Sequence, residues 1–309
     1  MSIKDTLLDA FKNTKFTLRD AYNKCPGVNK ESVRARIYEN LGTVFTKLGK
    51  GLYISNSAEC LLIEGDGRDL SILNDSSIDC IITDHPWDDK GANKGGNRNF
   101  ATYNCFQYTV EDFKEKARVL KDGSFLCECI PAENETNFDY LYQLKKMAQE
   151  AGFEYYCKVP WKKGTFVSNT GRKAKNTEDM MIFSKGKPRS LKPDKQRGVV
   201  NGIPTRFMSG TAGMLPTEFN VQAVPRSEII AQSEKPVPLF EQLLAFLTRE
   251  NEVVLDQFAG SGAVGVACLN KNRKCILIEQ AKDCVEKIAQ RIGLERVDEY
   301  YVRRSVNIG

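Results

Sequence analysis

The chain has 309 residues, of which 41% are hydrophobic and 28% charged, and its formal net charge is +5. This is the profile of a soluble globular protein with room for one large domain and a small one, and it excludes a disordered or fibrous chain. No apolar stretch approaches the ~18 residues that a membrane span requires, and an N-terminus bearing Lys4 and Asp5 does not read as a signal peptide.

Ten cysteines without a CxxC pair point to reduced thiols in a cytoplasmic setting rather than to a disulfide framework. With a single histidine, His85, a zinc site is not expected. The charge is unevenly spread. Residues 1–55 hold ten Lys/Arg against five Asp/Glu, and residues 158–206 hold thirteen against three, which leaves the remainder at net −10. Two basic blocks on an acidic body suit a surface that tracks phosphates. A solvated charged face is the plainer alternative for either block alone.

Along the chain, Ile3, Leu7, Leu8, Ala10 and Phe11 have helical spacing, which predicts a helix over 3–14. Thr17 is placed to cap a short helix over 18–24, which Pro26-Gly27 ends. Asn29 or Lys30 opens a third helix through Glu39 that carries Arg34 and Arg36. Residues 44–47 and 51–54 flank Leu48-Gly49-Lys50, a hairpin signal with Lys47 and Lys50 near its tip. Three helices and a basic hairpin resemble a winged helix-turn-helix domain over residues 1–55, which implies DNA contact through Arg34, Arg36, Lys47 and Lys50. A helical cap or dimerisation element is the alternative.

A second domain is expected over 56–309. Residues 60–64 read as a strand ending in the acidic turn Glu64-Gly65-Asp66, followed by a short helix at 70–73 and a strand over 77–83. Residues 88–107 form a polar loop, 110–120 a helix, 123–130 a buried strand and 141–151 a helix. Strands at 153–161 and 179–184 bracket a basic turn and form an antiparallel pair at the sheet's edge. Residues 186–232, with five prolines and weak periodicity, read as an insertion. A helix over 237–248, a strand over 253–255, a glycine turn, a helix over 264–269 and a strand over 275–279 complete the pattern. Alternating strands and helices predict an α/β fold with a largely parallel sheet covered on both faces.

Two motifs carry the chemistry. Gly260, Ser261 and Gly262 follow the strand over 253–255, where glycines let backbone approach a ligand that side chains would block. A GxG turn is also common as plain structure. Asp256 adds a charge for an amino group, Phe258 an aromatic neighbour, and Glu279, at the end of the next strand, an acid placed to grip ribose hydroxyls. The turn has no cation, which favours a positively charged sulfonium cofactor over a dinucleotide. Asp84-His85-Pro86-Trp87 follows the strand over 77–83. An exocyclic amine is a poor nucleophile because its lone pair is conjugated into the ring. A carboxylate from Asp84 and the carbonyl of His85 can accept its two hydrogens, Pro86 stiffens the turn, and Trp87 offers a stacking face for an extruded base.

Together these motifs resemble the S-adenosylmethionine-dependent amino-methyltransferases that modify DNA, in the permuted β group where the catalytic loop precedes the cofactor loop. The resemblance covers about residues 58–290. It implies a Rossmann-like methyltransferase domain with a mostly parallel seven-stranded sheet, S-adenosylmethionine as cofactor and duplex DNA as partner. It assigns Asp84, His85, Pro86 and Trp87 to catalysis, and Asp66, Lys235, Asp256, Phe258, Gly260, Ser261, Gly262 and Glu279 to the cofactor. Lys162, Lys163, Arg172, Lys173 and Lys175 fall at the family's edge hairpin and are assigned to DNA, with a target-recognition insertion around 186–228. Asp at the first motif position is commoner for adenine N6 and Ser for cytosine N4. A homodimer and a cognate restriction endonuclease are partners that the family makes plausible. Two departures stand out: His85 occupies a customary proline position, read here as tolerated variation rather than as an added hydrogen bond, and Gln257 replaces another proline. A DNA-binding regulator that keeps the fold without the catalysis is the rival reading from another class.

Overall fold

The computed structural model describes residues 2–11, 14–40, 45–49, 51–55, 58–87, 105–164, 176–189, 198–200, 203–205, 215–225, 227–231, 233–297 and 300–304. The N-terminal elements are α1 (Ile3–Ala10), β1 (Lys15–Thr17), α2 (Leu18–Lys24), α3 (Lys30–Glu39), β2 (Phe45–Gly49) and β3 (Leu52–Ser55). Thr17 and Asp20 form a capping box that starts α2, and the Asn29 side chain accepts from the Glu31 N–H at 2.9 Å to start α3. The helices bury Leu7, Ala21, Val33 and Ile37 with Phe16, Phe45 and Tyr53 from the strands, a core of their own. Strand β1 was not foreseen; three residues carry no readable period, and it exists because it pairs with β3 in a sheet of order β1-β3-β2. The helix expected over 3–14 ends at Ala10, with Phe11 as its C-cap.

The rest of the chain gives β4 (Ala58–Glu64), β5 (Ile78–Thr83), α4 (Val110–Val119), β6 (Leu120–Pro131), α5 (Phe138–Glu150), β7 (Phe153–Lys162), β8 (Thr177–Lys185), β9 (Gly198–Val200), β10 (Ile203–Thr205) and β11 (Phe219–Asn220). Then follow α6 (Val237–Leu247), β12 (Val253–Asp256), α7 (Ala263–Asn270), β13 (Lys274–Glu279), α8 (Lys282–Ile292), β14 (Glu295–Val297) and β15 (Tyr300–Arg304). Among the described residues the main sheet has ten strands, in the order β11-β7-β8-β6-β5-β12-β13-β4-β15-β14. The expected seven strands are the contiguous run from β7 to β4. The seven-strand expectation is therefore corrected: β11 joins one edge, and the hairpin β14–β15 pairs antiparallel with β4 at the other. The sheet is mixed, with a parallel centre β6-β5-β12-β13-β4 and antiparallel pairings at β6–β8 and β7–β8.

The helix expected at 70–73 is also corrected. Leu70 and Leu73 are buried as anchors of a single turn closed by the Leu73 N–H to the Leu70 carbonyl at 2.9 Å. One turn does not offset the cost of starting a helix.

Each central strand feeds both faces of the sheet. In β5, Cys80 and Ile82 pack with α6, α7 and α8, whereas Ile81 packs with α4 and α5. This two-sided burial explains the unbroken apolar runs in the sequence. β12 lies between β5 and β13, and its connection to β13 and that of β5 to β6 leave in opposite directions. The carboxyl ends of β5 and β12 therefore meet at a topological switch point, where α/β sheets open a crevice.

Candidate active site

The crevice is built first by the turn after β12. Gly260 and Gly262 have φ of +51° and +75°, and Gly262 is the N-cap of α7. A Cβ on Gly262 would lie 2.9 Å from Ile288 Cγ2, while one on Gly260 would meet only the Phe258 carbonyl at 3.9 Å. The first glycine thus serves packing, and the second keeps backbone open to a ligand. Asp256 is buried at the end of β12, and its Oδ1 accepts from Thr83 Oγ1 and from the Phe258 N–H, each at 3.2 Å. Burial pushes its carboxyl up to about 7, against the pull of the Phe258 N–H and the Thr83 hydroxyl.

Glu279 accepts from the Gly260 N–H through Oε2 and from the Ala281 N–H through Oε1, both at 2.8 Å. It braces the glycine turn while keeping lone pairs for a second partner. Burial raises its carboxyl as well, opposed by those backbone donors. Asp66 is exposed beyond β4, where its Oδ1 accepts from the Arg68 N–H at 2.9 Å. Ser261 is buried, and its carbonyl accepts from Arg291 at 2.9 Å. The Phe258 ring lies 5.5 Å from Phe106 and 6.4 Å from Tyr108.

Asp84 follows Thr83, so the hydroxyl bond from Thr83 to Asp256 ties the Asp84–Trp87 loop to the glycine turn across 173 positions of sequence. Lys235 forms an ion pair with Asp84 and also lies 3.4 Å from Glu178, which pairs in turn with Lys163. Burial raises the Asp84 carboxyl above its ordinary value, and Lys235 works against that rise. Lys235, expected beside the cofactor, has Asp84 as its ion-pair partner. Behind the loop, the His85 ring is 4.0 Å from that of Trp87, and Trp87 is 5.3 Å from Tyr140 in an edge-on arrangement. Pro86 and Trp87 are half-buried.

Residues that sequence reasoning missed include Gly67 and the side chain of Gln257. Gln257 Nε2 donates to the Gly67 carbonyl at 2.7 Å, and a Cβ on Gly67 would lie 1.9 Å from the Gln257 carbonyl oxygen. Nothing local marks this contact, which joins turns 190 positions apart. Of the residues assigned to DNA, Arg34 lies over the Tyr38 ring at 5.4 Å, Arg36 pairs with Glu39 at 2.7 Å, and Lys162 is half-buried on β7. Lys47 is on β2, but its side chain, and all of Lys50, Arg172, Lys173 and Lys175, lie outside the described residues.

A family profile described as DNA methylase, N6_N4_Mtase, matches residues 78–291. The chain belongs to this family. It is an S-adenosylmethionine-dependent DNA methyltransferase. Among curated relatives, the type II methyltransferase M.HpaI of Haemophilus parainfluenzae is 26% identical over 242 residues, covering 74% of each chain. The orphan methyltransferase M.BamHII of Bacillus amyloliquefaciens is 23% identical over 263 residues, 74% of this chain and 92% of its own. The fold resembles that of the M1.HpyAVI–SAM complex, with a TM-score of 0.55 and 19% identity, covering 76% of this chain and all of that one. It equally resembles PvuII DNA methyltransferase (cytosine-N4-specific), with a TM-score of 0.55 and 19% identity over 78% of this chain and 91% of that one.

The site of this DNA methyltransferase fits the family's cofactor. Gly260 leaves open space over its backbone, where a Cβ would meet only the Phe258 carbonyl, and two buried acids, Asp256 and Glu279, suit a cationic amino acid end and a ribose. S-adenosylmethionine supplies a methyl group made electrophilic by a positively charged sulfur. Among the described residues no helix is long and apolar enough to cross a membrane, and no group of three His, Cys, Asp or Glu is placed to hold a metal ion.

Proposed function

We propose that this methyltransferase modifies adenine N6 in a specific sequence of duplex DNA. What supports the reading is the aspartate, Asp84, at the first motif position, directly after Thr83, whose hydroxyl donates to Asp256. Asp84 accepts one amine hydrogen and the His85 carbonyl the other, so the nitrogen lone pair turns toward the incoming methyl; Trp87 supports the extruded base. Lys235 pairs with Asp84 and opposes the rise that burial imposes on its carboxyl, which favours the carboxylate form that accepts the amine hydrogen. Residues 1–55 act as a winged-helix-like DNA grip, and the basic edge of β7 with residues 186–228 supplies sequence choice.

Support for the DNA grip comes from α3, where Arg34 and Lys30 lie over Tyr38 and Tyr22 and present cations on one helix face. The test is incubation of duplex DNA with tritiated S-adenosylmethionine, then digestion and mass analysis of the nucleosides. N6-methyl-2′-deoxyadenosine is expected; N4-methyl-2′-deoxycytidine would replace the adenine reading with the other chemistry of this family. Label absent from DNA would favour a non-catalytic regulator.

A further inference from the structure

The chain's only histidine does not face the crevice. His85 is 1% exposed, in a pocket walled by Trp87 of its own loop, Phe106 and Tyr108 from the segment before α4, Lys116 of α4, Glu128 of β6 and Tyr140 of α5. Its Nε2 lies 3.1 Å from the Tyr140 hydroxyl. That oxygen already accepts from the Tyr108 N–H at 2.9 Å, so its own proton is free to be donated to Nε2. On the other side, His85 Nδ1 faces Glu128 Oε2 at 3.8 Å, and neither atom has another hydrogen-bond partner. A proton on Nδ1 would point at a carboxylate, whereas a lone pair there would oppose it.

Glu128 and Lys116 are both fully buried and ion-paired, and the Lys116 ammonium sits 3.7 Å from the Tyr108 ring centre. The charges facing His85 are already matched: Glu128 by Lys116, and Asp84, next to it in the loop, by Lys235, while Asp112 beside Lys116 is held by Arg68. A further cation on His85 would share a counter-charge already taken, in a buried site where that is costly. Burial accordingly lowers the His85 imidazole, against the pull of Glu128, and burial lowers Lys116 as well.

We propose that His85 is a positioning residue for methyl transfer: its imidazole, held as the Nδ1–H tautomer between Tyr140 and the Glu128–Lys116 pair, fixes its own backbone carbonyl and the plane of Trp87. Both groups belong to the loop that receives the target base, so the inference rests on the reading above. In this chain a buried side-chain lock does what a second ring-stiffened proline would otherwise do. At 3.8 Å the Nδ1–Glu128 contact is electrostatic rather than a hydrogen bond, and each atom is the nearest polar group that the other faces.

Because there is one histidine, ¹⁵N-histidine labelling gives a single imidazole to observe by NMR in the whole protein. The expected spectrum shows Nδ1 protonated and Nε2 unprotonated, unchanged as pH crosses about 6.5, where a free imidazole titrates. A protonated Nε2, or ordinary titration, would overturn the proposal without any variant having to fold. As a second arm, His85→Pro restores the proline customary at this position but leaves Tyr140 and Glu128 without their partner. Its single-turnover transfer rate is expected to fall by about 10–100-fold with cofactor affinity unchanged by calorimetry, and His85→Asn, which can still donate toward Glu128, is expected to fall less. A His85→Pro enzyme as fast as the parent would show that the position is tolerated variation. Absence of transfer by the parent itself would sink the catalytic reading instead, while the tautomer would still report on the pocket.

Discussion

The two loops of the crevice are held in different ways. The cofactor turn is fixed by backbone: Glu279 and Asp256 accept from the N–H groups of Gly260, Ala281 and Phe258, and the glycine dihedrals do the rest. The Asp84–Trp87 loop is fixed by side chains from distant elements, Lys235 on Asp84 and Tyr140 on His85. The backbone bonds of the turn join residues at most 19 positions apart, although Gly67 and Thr83 reach it from far away in sequence. A side-chain-held loop can be tuned, and can be broken, from several elements at once.

The sharpest way to separate the loops is Asp84→Ala. It removes the acceptor for the amine proton, and transfer is expected to fall by about 10²–10⁴-fold, with cofactor binding by calorimetry close to the parent's. Equal loss of both would mean that Asp84 serves the cofactor turn instead.

Gly67→Ala attacks the seam between the β4 turn and the cofactor turn. The added Cβ would lie 1.9 Å from a backbone oxygen and 2.7 Å from Phe258 Cε1, neither of which can swing aside alone. A destabilisation of about 1–3 kcal/mol is expected, together with weaker cofactor binding, read by thermal melting with and without cofactor. An unshifted melt would show that the two turns move apart freely.

Asp256→Asn tests the electrostatics of the backbone-held side. The native carboxyl, raised to about 7, binds a proton that the unfolded chain has lost above about 4. Between those values the folded state holds more protons, so this group's contribution to stability declines as pH rises from 4 to 7. Denaturant melts across that window are expected to show a flatter decline for the Asn variant than for the parent; parallel curves would count against the raised value.

The smallest effect is expected from Arg34→Ala on α3. A phosphate contact there reduces the slope of log affinity against log salt by about 1 when removed. An unchanged slope in a titration series would remove α3 from the DNA interface.

Much of this molecule was legible because its signals are local. The capping box of Thr17 and Asp20, the apolar runs of β5 and β12 and the glycines of the turn each act through neighbours in sequence. Strand β11 has two residues and β14 three, too few for a period to show, and both exist by joining edges that other strands present. The four-residue segment at 70–73 carries helical spacing, yet the need to bury Leu70 and Leu73 leaves only a turn.

By itself the sequence determined the alternation of central strands and helices, the two motifs at strand ends and the family, because strand burial and turn conformation follow from residue type over short spans. Only the tertiary structure decided that Lys235 serves Asp84, that Gly67 lies against Gln257, and that His85 turns inward to Tyr140 and Glu128. Those contacts join segments 43 to 190 positions apart, and their energies come from burial and charge pairing, which exist only once the chain has folded around them.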